Sequence, residues 1–224
     1  MNVAEWLRAA RAARHGIVYA APRRIGRREI ALTFDDGPSE WTPLILDLFK
    51  AHGARATFFV LGASTDGRED IVRRAAAEGH EIGNHTFSHP DPEQLADDVL
   101  RDELERAGSL LESLVGRRPM HFRPPYAATN YRVADVARSA GLERTVLRSI
   151  DPADWNETEA STIAAHVLEQ ARPGAIVCLH DGNLPRERPS RQPTVDALSQ
   201  MVPELRARGY RLVTVSELLA WNRT

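Results

Sequence analysis

Short β-rich runs alternate with longer amphipathic segments along most of the chain, an order that admits little besides an α/β fold whose strands are joined by helices. Candidate strands are Glu29–Phe34, Ala56–Val60, Glu81–Gly83, His121–Arg123, Thr145–Ile150, Ala175–Leu179 and Arg211–Val215, seven in all. Between them, Thr42-Pro43 reads as a helix start. Asp91-Pro92, with Gln94 three residues after Asp91, resembles a capping box that opens a long helix. Gly53, Gly79, Gly116, Gly141 and Gly209 fall where helices should end. Parallel strands of this kind either close into a barrel or stay an open, doubly wound sheet. Polar residues sit just beyond the carboxyl ends of five candidate strands: Asp35 and Asp36, His85 and His89, Arg123, Asp151 and Asp154, and His180. Barrels assemble their sites on one rim from several strand ends, so this placement favours the barrel.

The 224 residues suit one core, and no repeat, low-complexity stretch or linker marks a second domain. A hydrophobic content of 42% and a charged content of 27% are those of an ordinary globular protein. A net charge of -2 argues against a nucleic-acid surface, although Lys50 is the only lysine and all other basic side chains except histidines are arginines. Cys178 is the only cysteine, which excludes an internal disulfide and a cysteine-based zinc site; its apolar run, Ala175 to Leu179, suggests a small buried residue. The first residues lack a signal peptide's apolar stretch and no run approaches the ~20 residues of a membrane span, so a cytoplasmic location is the expectation. Residues 2–14 read as a helix packed on the domain; with Arg8, Arg11 and Arg14 they also have the character of a surface-binding amphipathic helix.

Chemistry concentrates in five segments. In Thr33-Phe34-Asp35-Asp36-Gly37-Pro38 two adjacent carboxylates end a strand. Such a pair suits a turn, or a site where a cation neutralises one and the other acts as base. His85 and His89 are separated by three residues, and Pro90 disfavours helical geometry at His89, so a turn is expected there, although either geometry can chelate. Joined to an Asp from a neighbouring strand they make a two-His, one-carboxylate set that binds a divalent transition metal and leaves positions open. Arg123-Pro124-Pro125-Tyr126 is a stiff turn after a short strand, Asp151-Pro152-Ala153-Asp154-Trp155 is the fourth segment, and His180 closes a buried apolar strand as a candidate acid. His15, His52, His80, His121 and His166 lack nearby partners and read as surface or structural histidines. No Gly-x-Ser-x-Gly elbow supports a serine hydrolase.

From Glu29 to Leu219 the sequence resembles the polysaccharide deacetylases of carbohydrate esterase family four, typified by the nodulation chitooligosaccharide deacetylases. All five motifs occur in order: Thr-Phe-Asp-Asp-Gly-Pro, His-Thr-x-Ser-His, Arg-Pro-Pro-Tyr, Asp-x-x-Asp-Trp and the strand ending in Leu-His-Asp. The resemblance implies a distorted (β/α)7 barrel in a single domain, with residues 1–28 as a basic, helical extension and 29–224 as the catalytic domain. It implies Asp35 as general base, Asp36, His85 and His89 as ligands of Zn2+ (or Co2+ or Ni2+), and Arg123 steadying Asp35. It also implies the Tyr126 amide as an oxyanion donor, Asp154 tuning a catalytic His180, and Trp155 and Leu179 lining the acyl pocket. The implied activity is removal of an N-acetyl group from an amino sugar, with a carbohydrate as the partner. A nucleotide- or lipid-linked sugar, a small natural product, a cyclic amide and an acetylxylan remain alternatives. The arginine- and proline-rich segment 183–193, with Arg186, Arg188 and Arg191, is expected on the rim, either as a plain solvated loop or as a selector of anionic substrates.

Overall fold

A computed structural model describes residues 11–22, 26–183 and 190–220. The strands are β1 (Ile17–Val18), β2 (Glu29–Asp35), β3 (Thr57–Val60), β4 (Glu81–Asn84), β5 (His121–Phe122), β6 (Arg144–Val146), β7 (Ile176–His180) and β8 (Arg211–Leu212). They pair in the order β1-β6-β5-β4-β3-β2-β7, with β8 beside β2, and every strand pair is parallel. Past the end of β6 the chain bridges to β7 at Ile150 and Val177, which brings the far side of the sheet round to β7 and makes a distorted barrel. Helices Thr42–Ala51, Glu69–Ala77, Asp97–Val115, Tyr131–Ser139, Ala160–Gln170 and Gln192–Ala207 cover it. No helix among the described residues is long and apolar enough to cross a membrane.

The seven expected strands are present, most of them shifted or shortened by a residue or two. The expected strand Arg211–Val215 stops at Leu212, because Thr214 caps a short helix from Val215 through a capping box with Glu217. An eighth strand, Ile17–Val18, lies upstream of Glu29 and pairs with β6 at Thr145 and Val146. The described end of the N-terminal helical segment packs on the domain: Ala12 is buried and Arg11 lies 4.7 Å from the Tyr131 ring centroid. Residues 2–10 lie outside the described part. Asp91 caps a local turn by accepting from the Glu93 amide, and the long helix begins only at Asp97. All five helix-ending glycines have positive φ, and at Gly116 the left-handed residue returns its amide to the Glu112 carbonyl.

Strand alternation sorts side chains between two layers. On β2, Ile30, Leu32 and Phe34 join the large core under the helices, whereas Ala31 joins the cluster with Phe59 and Val146. Val177 and Leu179 of β7 belong to the same core as Phe34. Thr33, Asp35, Cys178 and His180 therefore turn to the other face, and the register Asp35↔His180 sets the last two at one height.

Candidate active site

The strand ends converge on a cavity of about 250 Å³ bordered by Asp35, Asp36, His85, His89, Arg123 and His180, among others. Asp35 ends β2 and is 4% exposed. Its Oδ1 accepts from Arg123 Nη1 at 2.8 Å, and its Oδ2 lies 3.4 Å from the Cys178 thiol. Arg123 is itself fixed: Nη1 also donates to Thr33 Oγ1, and Nε and Nη2 donate to the Val146 and Leu147 carbonyls. Burial alone would raise the Asp35 pKa, but the Arg123 cation with His85 and His180 more than offsets this and the carboxyl is held below its usual range.

Asp36 has left-handed backbone with φ of 75°, as have Thr86 (71°) and His89 (63°) in the turn after β4. Non-glycine residues rarely adopt this conformation, and its clustering here marks a backbone shaped for the site. His85 Nε2 and His89 Nε2 lie 3.4 and 3.2 Å from Asp36 Oδ1, which is buried and makes no hydrogen bond among the described residues. His85 Nδ1 is engaged by the Arg123 carbonyl at 2.7 Å, which leaves Nε2 toward the carboxylate. Burial opposes ionisation of Asp36, yet the two rings drive its pKa far below the usual carboxylate range. Two imidazole nitrogens and a carboxylate oxygen converging on one point, with the oxygen otherwise unsatisfied, fit a divalent transition metal.

On the neighbouring strand β7, His180 Nδ1 lies 2.8 Å from Asp154 Oδ1, and the His180 amide donates to Asp154 Oδ2. Thr194 also donates to Asp154, whose carbonyl receives Arg191. Burial would depress the His180 pKa, but the Asp154 carboxylate prevails and raises it to about 9. Asp181 is buried behind Asp36; burial, and then the neighbouring Asp36 and Asp35 charges against a Thr42 hydrogen bond, push its carboxyl up to about 7. Gly37 and Gly182 allow this close approach, since a Cβ at Gly182 would meet the Asp36 carbonyl oxygen at 2.2 Å. Tyr126 and Trp155 border the mouth and are 57% and 40% exposed.

Nine of the ten expected residues thus meet around one cavity or directly brace it; Asp154 braces from behind, through His180. The exception is Leu179, which strand alternation directs into the core, and Leu147 and Cys178 line the wall instead. Arg191 is buried and spent on the Gly182 and Asp154 carbonyls, so it is no rim charge; Arg186 and Arg188 lie outside the described residues. Two features escaped the sequence reading. Arg148 borders the cavity in an ion pair with Asp151. Glu103, on the long helix, accepts from the Phe87 and Ser88 amides and from Ser88 Oγ, holding the histidine turn. No local pattern announces Glu103, because its partners lie 15 and 16 residues away.

Residues 23–145 match the family model for polysaccharide deacetylase. A peptidoglycan-N-acetylglucosamine deacetylase of Bacillus cereus is 42% identical over 196 residues, covering 86% of this chain and 89% of the relative. A chitooligosaccharide deacetylase of Bradyrhizobium sp. is 39% identical over 201 residues, covering 86% and 91%. Among solved structures, a peptidoglycan N-acetylglucosamine deacetylase in complex with 4-naphthalen-1-yl-N-oxidanyl-benzamide superposes with a TM-score of 0.85. It is 33% identical and covers 98% of this chain and 97% of the other. A pseudoenzyme of carbohydrate esterase family four from Bacillus anthracis gives 0.80 at 26% identity, covering 91% and 69%.

Proposed function

The chain belongs to the polysaccharide deacetylase family, and from that premise we propose that it hydrolyses the N-acetyl amide of N-acetylglucosamine units in an oligo- or polysaccharide, yielding acetate and a free amine. One observation carries the reading. A metal-type donor set, a buried carboxylate paired with arginine and a histidine paired with aspartate all face one cavity whose mouth holds two exposed aromatic rings. Asp36, His85 and His89 would hold a divalent ion, assigned as zinc with cobalt or nickel as substitutes. When bound, that ion polarises an acyl oxygen and acidifies water. The N-hydroxy amide bound by the most similar of these structures is a metal-chelating group, which agrees with such an ion.

The remaining work falls to this chain's own side chains. Asp35 is ionised at neutral pH and receives the proton of the attacking water, while Arg123 keeps its carboxylate from turning away. The Tyr126 amide donates to the oxygen on which negative charge develops. His180, protonated at neutral pH, delivers a proton to the departing nitrogen, without which an amide anion would have to leave. Tyr126 and Trp155 offer apolar faces to the sugar rings at the mouth. The test is acetate release from N-acetylated chitooligosaccharides, peptidoglycan fragments, nucleotide sugars and acetylated xylan, with metal content measured on the same sample. We expect turnover on N-acetylglucosamine oligomers that follows metal occupancy, and loss of both in His89→Ala. Stoichiometric metal with near-normal turnover in that variant would sink the ligand assignment.

A further inference from the structure

The cavity wall carries a second group of metal-binding atoms that the reaction above does not need as such. Asp35, Cys178 and His180 each offer a ligand atom, and these atoms lie within 4.8 Å of one another. Arg123 occupies only Oδ1 of Asp35, so Oδ2 is the oxygen beside the Cys178 sulfur at 3.4 Å. Nδ1 of His180 is engaged by Asp154, which leaves Nε2; a carboxylate behind the far ring nitrogen is the usual way a metal-ligating histidine is oriented. All three residues border the cavity, so an ion entering it reaches them. A lone cysteine rules out a site built on cysteines, yet one thiolate with an imidazole and a carboxylate is a mixed set that zinc and other soft divalent ions accept.

We propose that Asp35, Cys178 and His180 form a second, inhibitory site that takes zinc or cadmium when the ion is in excess over the Asp36, His85 and His89 site. Binding replaces two protons: the Cys178 S–H bond and the His180 Nε2–H bond break, a sulfur–metal and a nitrogen–metal bond form, and both protons pass to solvent. No redox step is involved. That exchange also breaks the thiol's contact with Asp35, so this site fills second. Filling it occupies the residues proposed above as base and acid, and the inhibitory consequence, though not the binding, rests on that reading.

Cys178 is the only cysteine in the chain, so any sulfur-to-cadmium charge-transfer absorption reports on this site alone. The experiment is a cadmium titration of the metal-free full chain followed in the ultraviolet. The expected result is no sulfur band through the first equivalent, a band that grows through the second, and saturation at two. Cys178→Ser should bind one equivalent with no band, and its turnover should be insensitive to excess zinc, whereas the wild type loses most of its own activity. A wild-type titration without the band, or with the band complete at the first equivalent, overturns the proposal whether or not the variant folds. So does equal inhibition of both proteins by excess zinc. If the metal-loaded wild type turns over no acetylated substrate while the band appears at the second equivalent, the functional reading fails and the metal site stands.

Discussion

Asp35 and Asp36 are adjacent like charges, and both remain ionised because each is stabilised by its own partners: Asp35 by the Arg123 cation, Asp36 by the two imidazoles that face it. This separation predicts different losses. Asp35→Asn keeps every donor of the Asp36, His85 and His89 set, so it should bind the first equivalent of divalent ion as the wild type does while turnover falls about 10²- to 10⁴-fold. Metal analysis beside kinetics decides it, and loss of the ion would move Asp35 into the coordination shell. The partner prediction concerns pH. His180 must be protonated to act as an acid, so activity declines as pH rises through its pKa, and Asp154 is what holds that pKa above the ordinary imidazole value. Asp154→Asn removes the anion that favours the imidazolium, so the basic limb of kcat/KM should move to lower pH. An unmoved limb would take His180 out of the acid role. The main site residues were legible because most are polar and lie within a few residues of a strand's carboxyl end. Cys178 was not, for its meeting with Asp35 spans 143 residues and depends on the β2–β7 register.

At the scale of elements, the turn after β4 holds two proposed ligands, with left-handed backbone at Thr86 and His89, and the long helix Asp97–Val115 braces it. Glu103 takes two turn amides and a hydroxyl, while Asn84 ties β4 to the same helix through the Leu104 carbonyl. Glu103→Ala removes the acceptors from those groups without touching a ligand. Supports of this kind cost about 10- to 100-fold in metal affinity when removed, and the low end is expected because Glu103 acts on backbone, not on the rings. Competition against a chelator reads this directly, and unchanged affinity would make Glu103 a stability device only. The seven strands were readable because buried parallel strands are short apolar runs. Ile17–Val18 was not readable, since two residues in an arginine-rich stretch become a strand only by pairing with β6. The helix start at Asp91 misled because an aspartate before a proline caps a turn as readily as a helix.

For the whole molecule, the acid side of the stability profile depends on a histidine that takes no part in the site. His80 is 1% exposed, accepts the Ala56 amide on Nδ1, and packs edge-on against Phe49 and Phe58. Burial penalises its charged form and brings its pKa down to about 4, whereas in the unfolded chain it returns to about 6.5. Between these values the unfolded state binds the extra proton, so stability is fully present above pH ~6.5 and is lost as pH falls toward ~4; below that the folded state takes up the proton too. The loss from this one group between pH 7 and 5 amounts to about 2 kcal/mol. Asp181, at about 7, titrates in the same window, so the measurement must be a difference. His80→Leu should be less stable at pH 7 by about 1–3 kcal/mol, because the buried Ala56 amide loses its acceptor. The variant should nevertheless show a shallower fall between pH 7 and 5 than the wild type. Urea unfolding of both proteins at the two pH values, with a chelator present so that metal release does not contribute, gives the four free energies needed. Equal falls in the two proteins would mean that His80 stays protonated in the folded core or neutral in both states, and the acid sensitivity would have to come from the site itself.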